Sequence, residues 1–327
     1  MATLALPPCH HGATLALPSR QHVATLALPS YQHVATLALP SCHHGATLAL
    51  PSCHHGATRA HAVVGAPARH RGANERAVLR PLAIAFGFLT RFPVPTGTVE
   101  AGELGRAVTW FPAVGAALGA MLAGGAVLLD GRVAPGLVSV ALVALLAGAT
   151  GGLHLDGLAD VFDALGGGRG SRDRMLAIMR DSRIGAHGAA ALVLLLAAKL
   201  AAVVEIVGRA GPHRIALWPL FAAPVAARWA VGPLVVWFPY ARPEGLGKPF
   251  HGHAGVAQLA GATVVTAIAI SWFGPPALIA ALAALGTTLG VALWLYRRLG
   301  GLTGDVYGAA TELAELAFLV AAGGAAR

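Results

Sequence analysis

Charge is what this chain has least of. Asp, Glu, Lys and Arg make up 11% of its 327 residues, and only 14 are acidic; soluble domains carry about 25% charged residues. With 56% hydrophobic residues, the composition excludes an ordinary soluble domain. Aromatic residues are also few, at 6%. The apolar runs are filled with Ala and Gly, which suits helices that pack closely through small side chains. Cysteine stops at Cys53, with Cys9 and Cys42 before it. A disulfide framework for the chain beyond about residue 77 is therefore excluded. No basic arm or basic domain carries the net charge of +9, which argues against a nucleic-acid partner. The basic residues stand between apolar runs, where positive charge sets topology and meets headgroups or phosphates.

What is present is a series of apolar stretches long enough for the roughly 30 Å hydrocarbon core of a bilayer. Seven spans are expected, near 107–129, 134–152, 186–208, 214–238, 256–274, 277–296 and 306–325. Leu79 to Pro95 is apolar but short and broken by prolines, and reads as an interfacial or re-entrant helix. The fold class is therefore all-α, a polytopic helical membrane protein. Residues 2–56 are five copies of an 11-residue unit beginning Ala-Thr-Leu-Ala-Leu-Pro. The fixed proline interrupts any helix, and Cys-His-His recurs without the paired spacing of a closed zinc site. With the polar linker 57–76, the repeats are expected to form a disordered, low-complexity extension (1–76) ahead of a membrane-embedded domain (77–327).

The parity of the spans puts 153–185, 239–255 and 297–305 on one side. These hold most of the arginines between spans, so the positive-inside rule places them in the cytoplasm. They also hold nearly all the candidate chemistry. Asp156, Asp160 and Asp163 recur at i, i+4 and i+7, one face of a helix. Three anions on one stripe repel unless a cation sits among them, and an all-oxygen donor set suits Mg²⁺. Arg180 and Arg183 follow in Arg-Asp-Ser-Arg, with Asp181 read as a salt-bridge partner or an extra ligand rather than a base. Arg242 and Lys248 flank Pro-Glu-Gly-Leu-Gly. Guanidinium forks match phosphate oxygens, and glycines let backbone come close. Asp305, Glu312 and Glu315 lie at helical spacing, the two glutamates inside the last span. Acids there face the bundle interior or a cavity and need a partner.

At these residues the chain resembles the cobalamin synthase family, the adenosylcobinamide-GDP ribazoletransferases. The matching pieces are FLTRFPVP (88–95), HLDGLADVFDALGG (154–167), RMLAIMRDSRIGAHG (174–188), RPEGLGK (242–248) and GGLTGDVYGAATELAE (300–315). They cover roughly residues 80–325, in order. The resemblance implies transfer of the adenosylcobinamide phosphate moiety from its GDP-activated form to α-ribazole or α-ribazole 5′-phosphate, with release of GMP. It implies Mg²⁺ as cofactor and a multi-pass place in the cell's inner membrane, with the site loops cytoplasmic. Carried onto this chain, Asp156, Asp160 and Asp163 become the expected metal ligands. Asp305, Glu312 or Glu315 becomes a further ligand or the base. Arg180, Arg183, Arg242 and Lys248 become the phosphate contacts. The expected partners are the two substrates and membrane lipids; a homo-oligomer is left open. The Asp-Gly element is also similar to that of CDP-alcohol phosphotransferases, which act on lipid-like acceptors, but Asp160 stands where those have arginine. A cation-coupled transporter is the alternative of a different class; the sequence halves show no repeat of the kind such proteins carry.

Overall fold

The computed structural model describes residues 70–210 and 214–325, and every regular element among them is helical. The 11-residue repeats lie outside the described residues. The helices are α1 (His70–Leu89), α2 (Ala101–Ala107), α3 (Phe111–Leu129), α4 (Pro135–Thr150), α5 (Leu153–Gly167), α6 (Arg172–Ile178), α7 (Ala186–Ala210), α8 (Trp218–Ala230), α9 (Gly232–Trp237), α10 (Val256–Ile270), α11 (Gly274–Leu299) and α12 (Gly304–Ala325). The first of these begins seven residues ahead of the boundary expected at Ala77. Its C-terminal end, Phe88 and Leu89, reaches the central cavity.

Among the described residues five helical segments are long and apolar enough to cross a bilayer, or six if α4 and α5 count as one broken span. Seven spans were expected, and the difference has two physical sources. The first is the pair Gly151 and Gly152, both left-handed with φ of 64° and 73°. Side chains rarely adopt that conformation, and here it turns α5 by 89° from α4. The expected span 134–152 thus ends at Thr150 and delivers the acidic helix sideways into the bundle. The second is the 44-residue segment Val256–Leu299. At 1.5 Å per residue it is about twice the length a bilayer needs. Its regularity is broken by a 3-10 turn at Ser271–Phe273 and by Gly274, where φ is 68°. Thr263 of α10 and Ala281 of α11 consequently line one groove beside Trp229.

Lipid tails are as apolar as leucine, so such helices associate by close packing and internal polar contacts rather than by escape from water. Gly115 and Gly119 show how close: a Cβ at either would lie 2.4 Å from the Pro224 carbonyl oxygen or 2.1 Å from that of Phe221. They form the face through which α3 lies on α8. Helix α12 is central, packing on α5, α7, α8 and α11. Gly157 brings α5 onto it, since a Cβ there would meet the Asp305 carbonyl oxygen at 2.7 Å.

The three polar segments meet at one end of the bundle. Arg172 donates from Nε to the Leu299 carbonyl (2.6 Å) and from Nη2 to that of Ala241 (3.2 Å). A short parallel bridge joins Tyr240 and Leu302, with Ala241 N–H donating to the Leu302 carbonyl and Leu302 N–H to that of Pro239, both at 2.8 Å. The three segments that span parity grouped together thus meet through these bonds.

Candidate active site

A cavity of about 270 Å³ opens beneath these segments. One wall is aromatic. The rings of Phe88 and Phe250 lie 4.5 Å apart and those of Phe111 and Phe250 5.6 Å apart. The polar wall comes from the head of α12, the start of α5 and the 240–247 turn, with Asp156, Asp305, Arg242 and Tyr240 on it. Arg242 Nη2 stands 3.2 Å from Asp305 Oδ2, and that carboxylate also accepts from the Thr303 hydroxyl at 3.1 Å. Thr303 in turn accepts from Val306 N–H at the first turn of α12 (3.4 Å). Burial raises the Tyr240 hydroxyl pKa above the ordinary phenol value, and the nearby Asp305 charge adds to that.

The acidic stripe divides. Asp163 accepts backbone N–H groups from Gly185 (2.7 Å) and Gly188 (2.8 Å) and so fastens the loop that starts α7. Asp160, half-buried, feels the charges of Asp305, Asp156 and Asp163, with Arg242 the cation that offsets them. Asp156 and Asp305 thus face the cavity from two elements 149 residues apart in sequence, and Asp160 lies within their field. Among the described residues no group of three or more His, Cys, Asp or Glu side chains has the arrangement of a self-sufficient metal cage. A donor set of two or three carboxylates does fit Mg²⁺, which keeps several waters and takes its remaining ligands from substrate phosphates.

The other residues singled out in the sequence fall elsewhere. Arg183 is exposed and gripped by Asp181 (2.6 Å), one of the two roles expected of Asp181; that pairing holds Asp181 down at about 2. Arg180 is exposed at the end of α6. Lys248 is exposed at the cavity rim, its ammonium 5.8 Å from the Tyr240 ring centre. Glu312 and Glu315 do not reach the mouth. They lie buried deeper on α12, where Lys199 Nζ donates to both (2.5 and 2.6 Å) and Arg228 Nη1 to Glu315 (2.5 Å). Lys199 and Arg228 were not anticipated. The signal available was one cation in the middle of each of two apolar runs, beside two acids known to need partners.

An all-helical bundle with several bilayer-length helices here encloses a cavity with one aromatic wall and carboxylates and a guanidinium on the other, a combination that suits group transfer at a membrane. The family model that matches, over residues 81–323, is that of cobalamin-5-phosphate synthase. Three similar proteins are each called adenosylcobinamide-GDP ribazoletransferase. That of Pseudomonas paraeruginosa is 41% identical over 75% of this chain and 98% of its own. Those of Geotalea daltonii and Klebsiella pneumoniae are each 41% identical, over 76% and 75% of this chain and 99% of their own. No solved structure matches. The chain belongs to the cobalamin-5-phosphate synthase family, and is a transferase of cobalamin biosynthesis.

Proposed function

We propose that the chain joins adenosylcobinamide-GDP to α-ribazole or its 5′-phosphate with Mg²⁺, releasing GMP on the cytoplasmic side of the inner membrane. The observation that carries this reading is the meeting of Asp156 and Asp305 with Arg242 on the polar wall of the cavity, with Asp160 within their field. Acids and a guanidinium side by side suit a pyrophosphate whose charge grows as it breaks. Asp156 and Asp160 are the proposed Mg²⁺ ligands. When bound, the ion would neutralise charge on the pyrophosphate.

The remaining chemistry falls to the chain's own groups. Arg242 and the rim residue Lys248 hold phosphate oxygens, with Gly245 and Gly247 allowing backbone to approach them. The flat base of ribazole lies against Phe88, Phe111 and Phe250. An acceptor hydroxyl oxygen then bonds to the phosphorus that carries cobinamide, and the bond from that phosphorus to the GMP oxygen breaks. Asp305, steadied by Arg242 and Thr303, accepts the hydroxyl proton. Glu312 and Glu315 take no part in proton transfer, being engaged by Lys199 and Arg228.

The test is GMP release from adenosylcobinamide-GDP plus α-ribazole 5′-phosphate by the full chain in membranes, with Mg²⁺ and then with EDTA. Release that needs both substrates and stops with EDTA is expected. Well-inserted protein that releases no GMP would overturn the reading.

A further inference from the structure

The deep end of the cavity carries polar groups that the reading above leaves without a partner. Arg228 is 2% exposed. One edge of its guanidinium is engaged, with Nη1 donating to Glu315 (2.5 Å) and to the Pro224 carbonyl (3.2 Å). The other edge, Nε and Nη2, has no hydrogen-bond partner although both atoms are buried. The same is true of His154 Nδ1 and the Tyr307 hydroxyl, on residues 5% and 8% exposed. All three side chains line the one cavity. Each buried donor left unmade costs roughly 1–3 kcal/mol, and four such atoms around one space point to a polar group that fills it.

The geometry of the free edge identifies the class of that group. Nε–H and Nη2–H point in parallel and match two oxygens on one phosphorus or carbon. The Tyr307 hydroxyl adds a third donor. Arg228 is held in this orientation from behind by Glu315, itself fixed by Lys199. Two cations and two anions make that group neutral as a whole, so the guanidinium edge is presented without strong net repulsion toward an oxyanion. The transferase reading places the pyrophosphate of the cobinamide donor at the mouth, beside Arg242 and Asp305. The group that enters the deep end therefore belongs to the smaller substrate.

We propose that Arg228, with His154 and Tyr307, forms a phosphate subsite that makes the enzyme prefer the 5′-phosphorylated acceptor to the bare nucleoside. This rests on the transferase reading. The family's description names a 5-phosphate product; the residues that read the phosphate are the new assignment.

The experiment compares kcat/KM for GMP release with α-ribazole 5′-phosphate and with α-ribazole at saturating donor, using the full chain in nanodiscs. The wild type is expected to favour the phosphorylated acceptor by about 100-fold. Tyr307→Phe should lower that preference about tenfold, the value of one hydrogen bond to a charged group. Arg228→Gln should reduce it to within about threefold, through KM for the phosphorylated acceptor. Tyr307→Phe leaves Glu315 its cation and so keeps the test open if Arg228→Gln fails to insert. Equal use of both acceptors by the wild type overturns the subsite and leaves the transferase standing. So does an equal loss on both acceptors in the variants. No release with either acceptor overturns the transferase reading, and the subsite with it.

Discussion

Asp305 and Asp163 carry the same side chain in different employment. Asp305 faces the cavity between Arg242 and the Thr303 hydroxyl, beside the charges of Asp156 and Asp160. Asp163 has both oxygens on the N–H groups of Gly185 and Gly188. A neutral amide at 305 keeps the shape and loses the proton acceptor. Asp305→Asn is therefore expected to lower kcat by a factor of about 100 or more, in the range for a general base, with unchanged melting in detergent. Asp163→Ala unties the start of α7 and leaves two donors without their acceptor. Its expected signature is a loss of about 1–3 kcal/mol in stability, seen as earlier thermal unfolding, with turnover affected less. Wild-type turnover by Asp305→Asn would remove it from the chemistry. An Asp163→Ala protein that melts normally but is inactive would return that residue to the metal.

At the scale of elements, the link between α7, α8 and α12 is the buried group of Lys199, Arg228, Glu312 and Glu315. Removing one member of a buried ion pair strands its partner, which typically costs about 3–5 kcal/mol, whereas neutral replacement of both is tolerated far better. Lys199→Met should accordingly destabilise the protein by that order. Adding Glu312→Gln should restore part of the loss, because Glu315 retains Arg228. Chemical denaturation or thermal unfolding in micelles measures both, and a Lys199→Met protein as stable as wild type would show that the pair does not hold the helices. This network also marks where reading from sequence stopped. That Glu312 and Glu315 need partners follows from their place in an apolar run. Which cations meet them depends on the crossing of three helices from distant parts of the chain, and no periodicity records that. The stripe of Asp156, Asp160 and Asp163 was legible for the same reason its division was not. Helical spacing puts three residues on a face, but the loop that claims Asp163 and the helix end that brings Asp305 are tertiary. The turn at Gly151 and Gly152 was present as two adjacent glycines, yet hydropathy alone runs straight through it.

For the molecule as a whole, the scarcity of features noticed first becomes an experimental handle. From residue 54 onward the chain has no cysteine, so single cysteines report their own side of the membrane once Cys9, Cys42 and Cys53 are changed to Ser. The fold puts 153–185, 239–255 and 297–305 at one end of the bundle through Arg172, the Tyr240–Leu302 bridge and the Arg242–Asp305 pair. The turn holding Arg132 lies between α3 and α4, and Arg209 at the end of α7 donates to the Gly323 carbonyl near the end of α12. Both therefore lie at the opposite end. Positive charge concentrates on the first side, which the positive-inside rule assigns to the cytoplasm. Cysteines at Arg169, Glu244 and Arg297, all exposed, should resist an impermeant maleimide added to intact cells and react in inside-out vesicles. Cysteines at Arg132 and Arg209 should behave the opposite way. If the first three divide between the two preparations, the polar segments do not share a face and the site built from them falls. If all three react from outside, the site survives and the orientation reverses. A nucleotide-activated donor made in the cytoplasm would then have no access to it, so the same labelling pattern that fixes topology also decides whether the proposed chemistry can be supplied.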